Sequence, residues 1–183
     1  REAQLRIACP LAASLCVLER SAEAYDLLQP LTRWARESAP ADLRKLWLGR
    51  WAFALSSLDR LREGVAVQEE SIELVRAHGM PPDVLATDLG NLAVAYNTMG
   101  CTAKALEASG QSARILREDA RARGKNALGL LIHARHLAEY AHYAEALSLF
   151  DESLPTVESL EPSSWAFAGH NWLGTLWLRL GQH

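Results

Sequence analysis

The chain has 183 residues, of which 49% are hydrophobic and 22% charged, the composition of an ordinary folded protein, and disorder is excluded. A formal charge of −3 and a pI near 6.1 remove any general attraction to nucleic acid or to an anionic membrane. The apolar runs are broken by Arg, Glu or Asp well short of the roughly 20 residues a bilayer span needs, and no charged segment followed by an apolar one opens the chain, so a cytoplasmic protein is expected.

Val/Ile/Thr-rich alternating runs are missing, while Ala, Leu, Glu, Arg and Gln dominate and apolar residues recur three and four apart, which predicts an all-α chain. Breakers divide it into intervals of about 40 residues. The first, 1–40, holds a helix through Ala12 and Leu15, a turn at Glu19–Ser21 and a second helix from about Ala24, with Pro10 and Pro30 intruding before Ser38-Ala39-Pro40. The second, 41–81, runs through LWLGRWAFALSSL, turns at Asp59–Arg60 and carries Gly64 in its second helix before Gly79-Met80-Pro81-Pro82. The third, 82–123, contains NLAVAYNTM, a turn at Gly100–Thr102 and a helix from about Ala105. The fourth, 124–161, turns at Ala141–His142 and continues as YAEALSLFDESL up to Glu161-Pro162-Ser163. The last, 162–183, supplies one helix with no second helix after it, and the chain stops in mid-pattern at GQH, so it reads as a piece of a larger protein. Nine helices are expected, four hairpins and a final unpaired helix.

The intervals are true repeats. Ala24, Gly64, Ala105 and Ala146 follow one another at 40, 41 and 41 residues (64−24, 105−64, 146−105). The same register sets a small residue in every first helix, Ala12, Ala52, Ala93, Ala134 and Gly174, with a bulky one three positions later, Leu15, Leu55, Tyr96, Leu137 and Trp177. Antiparallel helices approach closely only where one side is small, and the large residue a turn later fills the groove beside that contact. Ala146 is therefore the close-contact residue of its hairpin, with Tyr143 at the turn and Ala144 facing elsewhere.

The order of Ala93, Tyr96, Gly100 and Ala105, repeated in part by Gly174, Trp177 and Gly181, resembles the tetratricopeptide repeat, and YAHYAEALSLFDESL looks like that repeat's turn and second helix. The resemblance implies one repeat domain over 1–183, a right-handed superhelical solenoid of helix hairpins. Its long period resembles the variant found in large bacterial signalling ATPases and transcription regulators. It also implies a noncatalytic interaction scaffold whose first helices line a concave groove. The register places Phe53, Ser57, Val94, Asn97, Thr98, Arg135, Glu139, Asn171, Thr175 and Arg179 in that groove. Co-chaperones of this family clasp a C-terminal carboxylate with a convergent set of Lys, Asn and Arg, and Phe53, Ser56 and Val94 in the early groove do not supply one.

Catalytic signatures are absent: no HExxH, GxSxG or phosphate-binding glycine loop occurs, and no enzyme or cofactor is expected. His133 and His136 have a spacing that can chelate a metal, with Glu139 a turn further on, but His133 shares a column expected to pack within the hairpin with Leu11, Trp51, Leu92 and Leu173 and reads as structural. Cys9, Cys16 and Cys101 form no CxxC, and buried free thiols are expected, Cys101 being the better candidate for a reactive one. The basic run Arg114, Arg117, Arg121, Arg123 and Lys125 reads as a solvated face. Two functions remain open: binding of a peptide or domain, including another part of the parent protein, and a small-molecule sensor controlling an attached ATPase or DNA-binding domain. Finally, Trp165, Trp172, Leu173, Leu176 and Trp177 cannot all be buried against the fourth hairpin, so a homodimer through the last helix is expected.

Overall fold

The computed structural model describes residues 1–118, 123–159 and 164–181, without the side chains of 123–126 and 164–165. Its helices are α1 (Glu2–Val17), α2 (Ser21–Leu28), α3 (Thr32–Glu37), α4 (Ala41–Ser57), α5 (Leu61–Ala77), α6 (Pro82–Thr98), α7 (Thr102–Glu118), α8 (Arg123–Glu139), α9 (Tyr143–Ser159) and α10 (Ser164–Arg179). No strand occurs among the described residues. Pro30 removes a backbone donor from the second helix of the first repeat, which tightens into a 3-10 turn at Gln29–Leu31 and splits that helix into α2 and α3. Counted as one interrupted rod, α2 and α3 leave nine helical positions among the described residues, four hairpins and a last first helix, as the repeat pattern predicts. Pro10 is tolerated on the exposed side of α1.

The helices from α4 to α9 all have 17 residues, a rod of roughly 25 Å. Their starts follow from sequence: Pro40 and Pro81 occupy N-caps, Pro82 begins α6, and Asp42, Glu63, Asp83 and Glu145 put negative charge in first turns, where the helix dipole favours it. Arg20 and Arg60 each clasp the glutamate three residues on, Glu23 and Glu63, at 2.6–2.7 Å, fixing the entry to α2 and α5. These hydrogen bonds hold both carboxylates below their usual pKa.

Every first helix ends the same way. Glu19, Asp59, Gly100, Ala141 and Gly181 have φ of 61°, 60°, 71°, 64° and 70°, and they recur at 40, 41, 41 and 40 residues (59−19, 100−59, 141−100, 181−141). After each of the first four, the next backbone N–H reaches back to the carbonyl of the bulky column: Arg20 to Leu15 at 2.8 Å, Arg60 to Leu55 at 3.0 Å, Cys101 to Tyr96 at 2.9 Å and His142 to Leu137 at 2.9 Å. This left-handed cap satisfies carbonyls the helix leaves open, and glycine adopts it without a Cβ clash. Ala141 and Asp59 adopt it at a cost, so Ala141→Gly and Asp59→Gly should each raise stability by about 1 kcal/mol. Urea denaturation of either variant checks this; a loss of stability in both would contradict the turn geometry.

Two compact units form, Arg1–Met80 and Pro81–His183. The first is centred on Leu5, Leu28, Trp47, Leu48 and Leu55, all within 1% exposure. Within it Tyr25 stacks on Trp51 at 4.7 Å and Trp51 on Trp47 at 5.6 Å, with Arg60 over Tyr25 and Arg36 over Trp47 at the ends. The second is centred on Leu131, Phe150, Val157 and Leu176. The close-contact columns are buried in both units: Ala24, Ala93, Ala105, Ala134 and Ala146 are 0% exposed, and Ala144 is exposed. Gly64 marks a tight crossing against backbone, because a Cβ there would lie 2.5 Å from Ser56 Oγ and 3.1 Å from the backbone oxygen of Ala52.

Candidate interaction surfaces

In the unit Pro81–His183 the first helices α6, α8 and α10 carry a connected polar group. Asn97 at the end of α6 donates from Nδ2 to Glu139 Oε2 of α8 at 2.9 Å, and its Oδ1 accepts from Tyr140 Oη at 2.5 Å. Glu139 Oε1 accepts from Arg135 Nε, one turn earlier on α8, at 2.8 Å. The Arg135 guanidinium lies 5.1 Å from the ring centroid of Trp172 on α10, and Arg179 of α10 donates to the Ala138 carbonyl at 3.2 Å. Asn97, Glu139, Arg135, Tyr140 and Trp172 are thus linked, while Arg179 reaches the backbone of α8 at Ala138. Tyr140 was hidden because it lies past the end of its helix, in the turn.

The remaining predicted groove residues are exposed. Val94 is 42% exposed on α6, and Thr98 and Thr175 are exposed with their hydroxyls donating to the carbonyls of Val94 and Asn171 at 3.0 and 2.8 Å, as serines and threonines on helices do. Asn171 is exposed on α10. In the unit Arg1–Met80, Phe53 is 41% exposed and Ser57 is exposed on α4.

His136 is 0% exposed, neither ring nitrogen has a hydrogen-bond partner, and burial pushes its pKa down to about 4. His133 is half-buried with Nδ1 2.8 Å from Ser109 Oγ, and burial lowers its pKa as well. Ser109 belongs to α7, the second helix of the preceding repeat, which corrects the expected packing within the hairpin: the column of His133 faces backwards along the array. Trp51, Leu92 and Leu173 are each 7% exposed in that column, while Leu11, on the first helix, is 48% exposed. No group of three His, Cys, Asp or Glu suited to a metal stands together among the described residues. Cys9 and Cys16 are buried and their pKa values are raised by burial, that of Cys9 to about 11, and Cys101 is half-buried. Of the basic run, Arg114 is exposed and Arg117 pairs with Glu152; Arg121 and the side chains of Arg123 and Lys125 lie outside the described residues.

The expected association surface needs a larger correction. Leu176 and Leu173 are 1% and 7% exposed and belong to the core, because α10 turns this side toward α8 and α9. Trp172 is half-buried beside Arg135, Trp177 is 45% exposed, and the side chain of Trp165 lies outside the described residues. The open apolar side chains of α10 include instead Phe167 at 77% and Leu178 at 64%. Repeat alignment carries the missed signal, since these two fall at the positions of Leu5 and Cys16 in α1.

No described helix is long and apolar enough to cross a membrane. No protein-family model matches the chain, and no curated protein matches it. Solved structures do. A kinesin light chain protein with nearly identical TPR-like repeats, from Podosopora anserina, superposes with a TM-score of 0.79 at 19% identity, over 100% of this chain and 90% of that one. BtubC (BKLC) from P. vanneervenii gives 0.81 at 14% identity, over 99% and 74%. A tetratricopeptide repeat protein from Parabacteroides merdae gives 0.62 at 18% identity, over 98% and 62%. Together with the 40–41-residue recurrence of caps and close contacts, these likenesses establish that the chain has the TPR-like helical-repeat fold.

Proposed function

We propose that this chain is a noncatalytic interaction scaffold of a cytoplasmic signalling or transcription-regulatory protein, and that α6, α8 and α10 hold a peptide segment of a partner protein. The observation that carries this reading is the ordered group Asn97–Glu139–Arg135 beside Trp172. Its members fix one another's positions, so little side-chain entropy remains to be lost on binding. Arg135 commits only its Nε to Glu139 among the described contacts, which leaves its terminal nitrogens directed to a ligand carboxylate or carbonyl. Val94 and the Trp172 ring offer apolar contact nearby on α6 and α10. The ligand chemistry that fits is a segment pairing an acidic residue with apolar neighbours.

Selection from a random peptide display library on the 183-residue chain tests the proposal. Enriched peptides should share an acidic residue flanked by apolar ones. Arg135→Glu should weaken the best of them at least tenfold, about 1.4 kcal/mol, while Arg114→Glu on α7 leaves it unchanged. No enrichment, or equal affinity for Arg135→Glu in a protein whose helicity is intact, would remove the reading.

A further inference from the structure

One arginine of the unit Arg1–Met80 is partly withdrawn from water with no counter-charge. Arg6, Arg20, Arg33, Arg36 and Arg60 each pair with a carboxylate, Arg44 donates to the Ala39 carbonyl at 3.5 Å, and Arg1, Arg62 and Arg76 stand exposed. Arg50 of α4 is half-buried, its Nε is shut off from solvent without a hydrogen-bond partner, and it makes no ion pair among the described residues. The groups of α1 that its charge reaches are the thiols of Cys9 and Cys16. Burial raises the pKa of both, so they stay neutral and leave the guanidinium uncompensated. Partial desolvation of a guanidinium without an acceptor costs stability, and folded chains ordinarily avoid it.

Arg50 also lies on a face that stays open by register. In the repeat columns that run through Arg50, Phe53 and Ser57, no residue of any first helix is buried, including those of helices with a repeat on either side. Phe53, one turn after Arg50, is 41% exposed, and Val17, which holds the Ser57 position on α1, is 75% exposed. We propose that Arg50 receives the side-chain carboxylate of an extended peptide, and that Phe53 and Val17 receive a bulky apolar side chain next to it. Charge selects this occupant. One uncompensated guanidinium matches a single negative charge. The middle of α4 adds no free backbone N–H, whereas a phosphate dianion is held by clustered cations or by a helix N-terminus. An open face of two helices, with apolar carbons beside the cation, suits a chain that runs past it. The site rests on the unit Arg1–Met80 alone and does not depend on the group around Arg135.

Proton–nitrogen correlation NMR on the 183-residue chain reads the site directly, through the Arg50 Nε–H and the Phe53 backbone amide. Three blocked dipeptides serve as probes: acetyl-Glu-Phe-amide, its neutral counterpart acetyl-Gln-Phe-amide, and acetyl-phosphoserine-Phe-amide. The glutamate probe should shift both signals saturably with a Kd of about 1 mM, and the glutamine probe should bind at least tenfold more weakly. Phosphoserine should gain nothing over glutamate. Arg50→Met should abolish the shift at Phe53, and Phe53→Ala should weaken the response at Arg50 severalfold. Arg62→Met on α5 should leave the response unchanged, as should Arg135→Glu, which keeps this site separable from the one on α6, α8 and α10. Without ligand, Arg50→Met should melt no lower than the unmodified chain, because it removes an uncompensated charge while keeping a side chain of similar length. The absence of a saturable shift, equal binding of the glutamine probe, tenfold tighter binding of phosphoserine, or a lowered melting midpoint in Arg50→Met would each overturn the proposal.

Discussion

Lowering the pH from neutral toward 4 is expected to cost the unit Pro81–His183 roughly 3 kcal/mol through His136 alone. Its imidazole has a folded-state pKa of about 4 against an ordinary 6.5, chiefly because burial disfavours the charged form, with Arg135 and His133 adding to the effect and Glu139 opposing it. Between those two values the unfolded chain binds the proton and the folded chain does not. Stability is therefore fully present above about 6.5, falls as the pH drops, and stops falling near 4; a pKa difference of this size corresponds to roughly 3 kcal/mol. His133, lowered in the same direction, adds to the loss. Carboxylates also titrate in this window, so the diagnostic is a difference. His136→Leu removes a buried ring with no hydrogen-bond partner and should be at least as stable as the unmodified chain at about pH 7.5. Urea denaturation of both at neutral and acid pH measures the two slopes, and equal acid sensitivity would show that His136 is not the group responsible.

The second large effect is steric. Ala134 is 0% exposed at the close crossing of α8 and α9, facing the column of Ala146, which is also 0% exposed. Ala134→Leu should destabilise by roughly 1–3 kcal/mol, since a packed helix pair admits extra methylenes only by shifting backbones or straining rotamers. Ala93→Leu should act alike in α6, where the wild-type methyl is equally buried. Gly64 should be the least forgiving member of these columns, as even a methyl there meets the backbone oxygen of Ala52. Thermal denaturation compares the variants, and unchanged melting in both alanine variants would show that the repeat register is wrong.

The architecture was legible because it is written several times. One small residue or one glycine means little, but Ala12, Ala52, Ala93 and Ala134 at fixed intervals can only be a packing rule, and each is at most 4% exposed. Caps were legible for the same reason: Glu19, Asp59 and Ala141 are residues with no strong preference for a left-handed turn, and their alignment with Gly100 identifies the turn they occupy. Direction was harder to see. Periodicity says that His133 and Leu11 share a column, yet only the bond to Ser109 on α7 shows that the column faces the preceding repeat. Apolar content around most of α10 likewise concealed which side is covered, and it put Leu176 on the outside when it belongs to the core. The polar group on α6 and α8 was half legible, since register finds Asn97, Arg135 and Glu139 but cannot say that they bind one another.

The turn geometry also bears on how the chain folds and opens. Each hairpin closes through a short cap, and its contacts join residues within one repeat of each other, so little loop entropy must be lost before a contact forms. Rapid folding follows, as does weak coupling between distant parts of the array. With two compact units, Arg1–Met80 and Pro81–His183, species with one unit folded and the other open become accessible. Amide hydrogen exchange should then resolve two protection levels rather than one, with the acid-sensitive imidazole lowering only the level of the later unit.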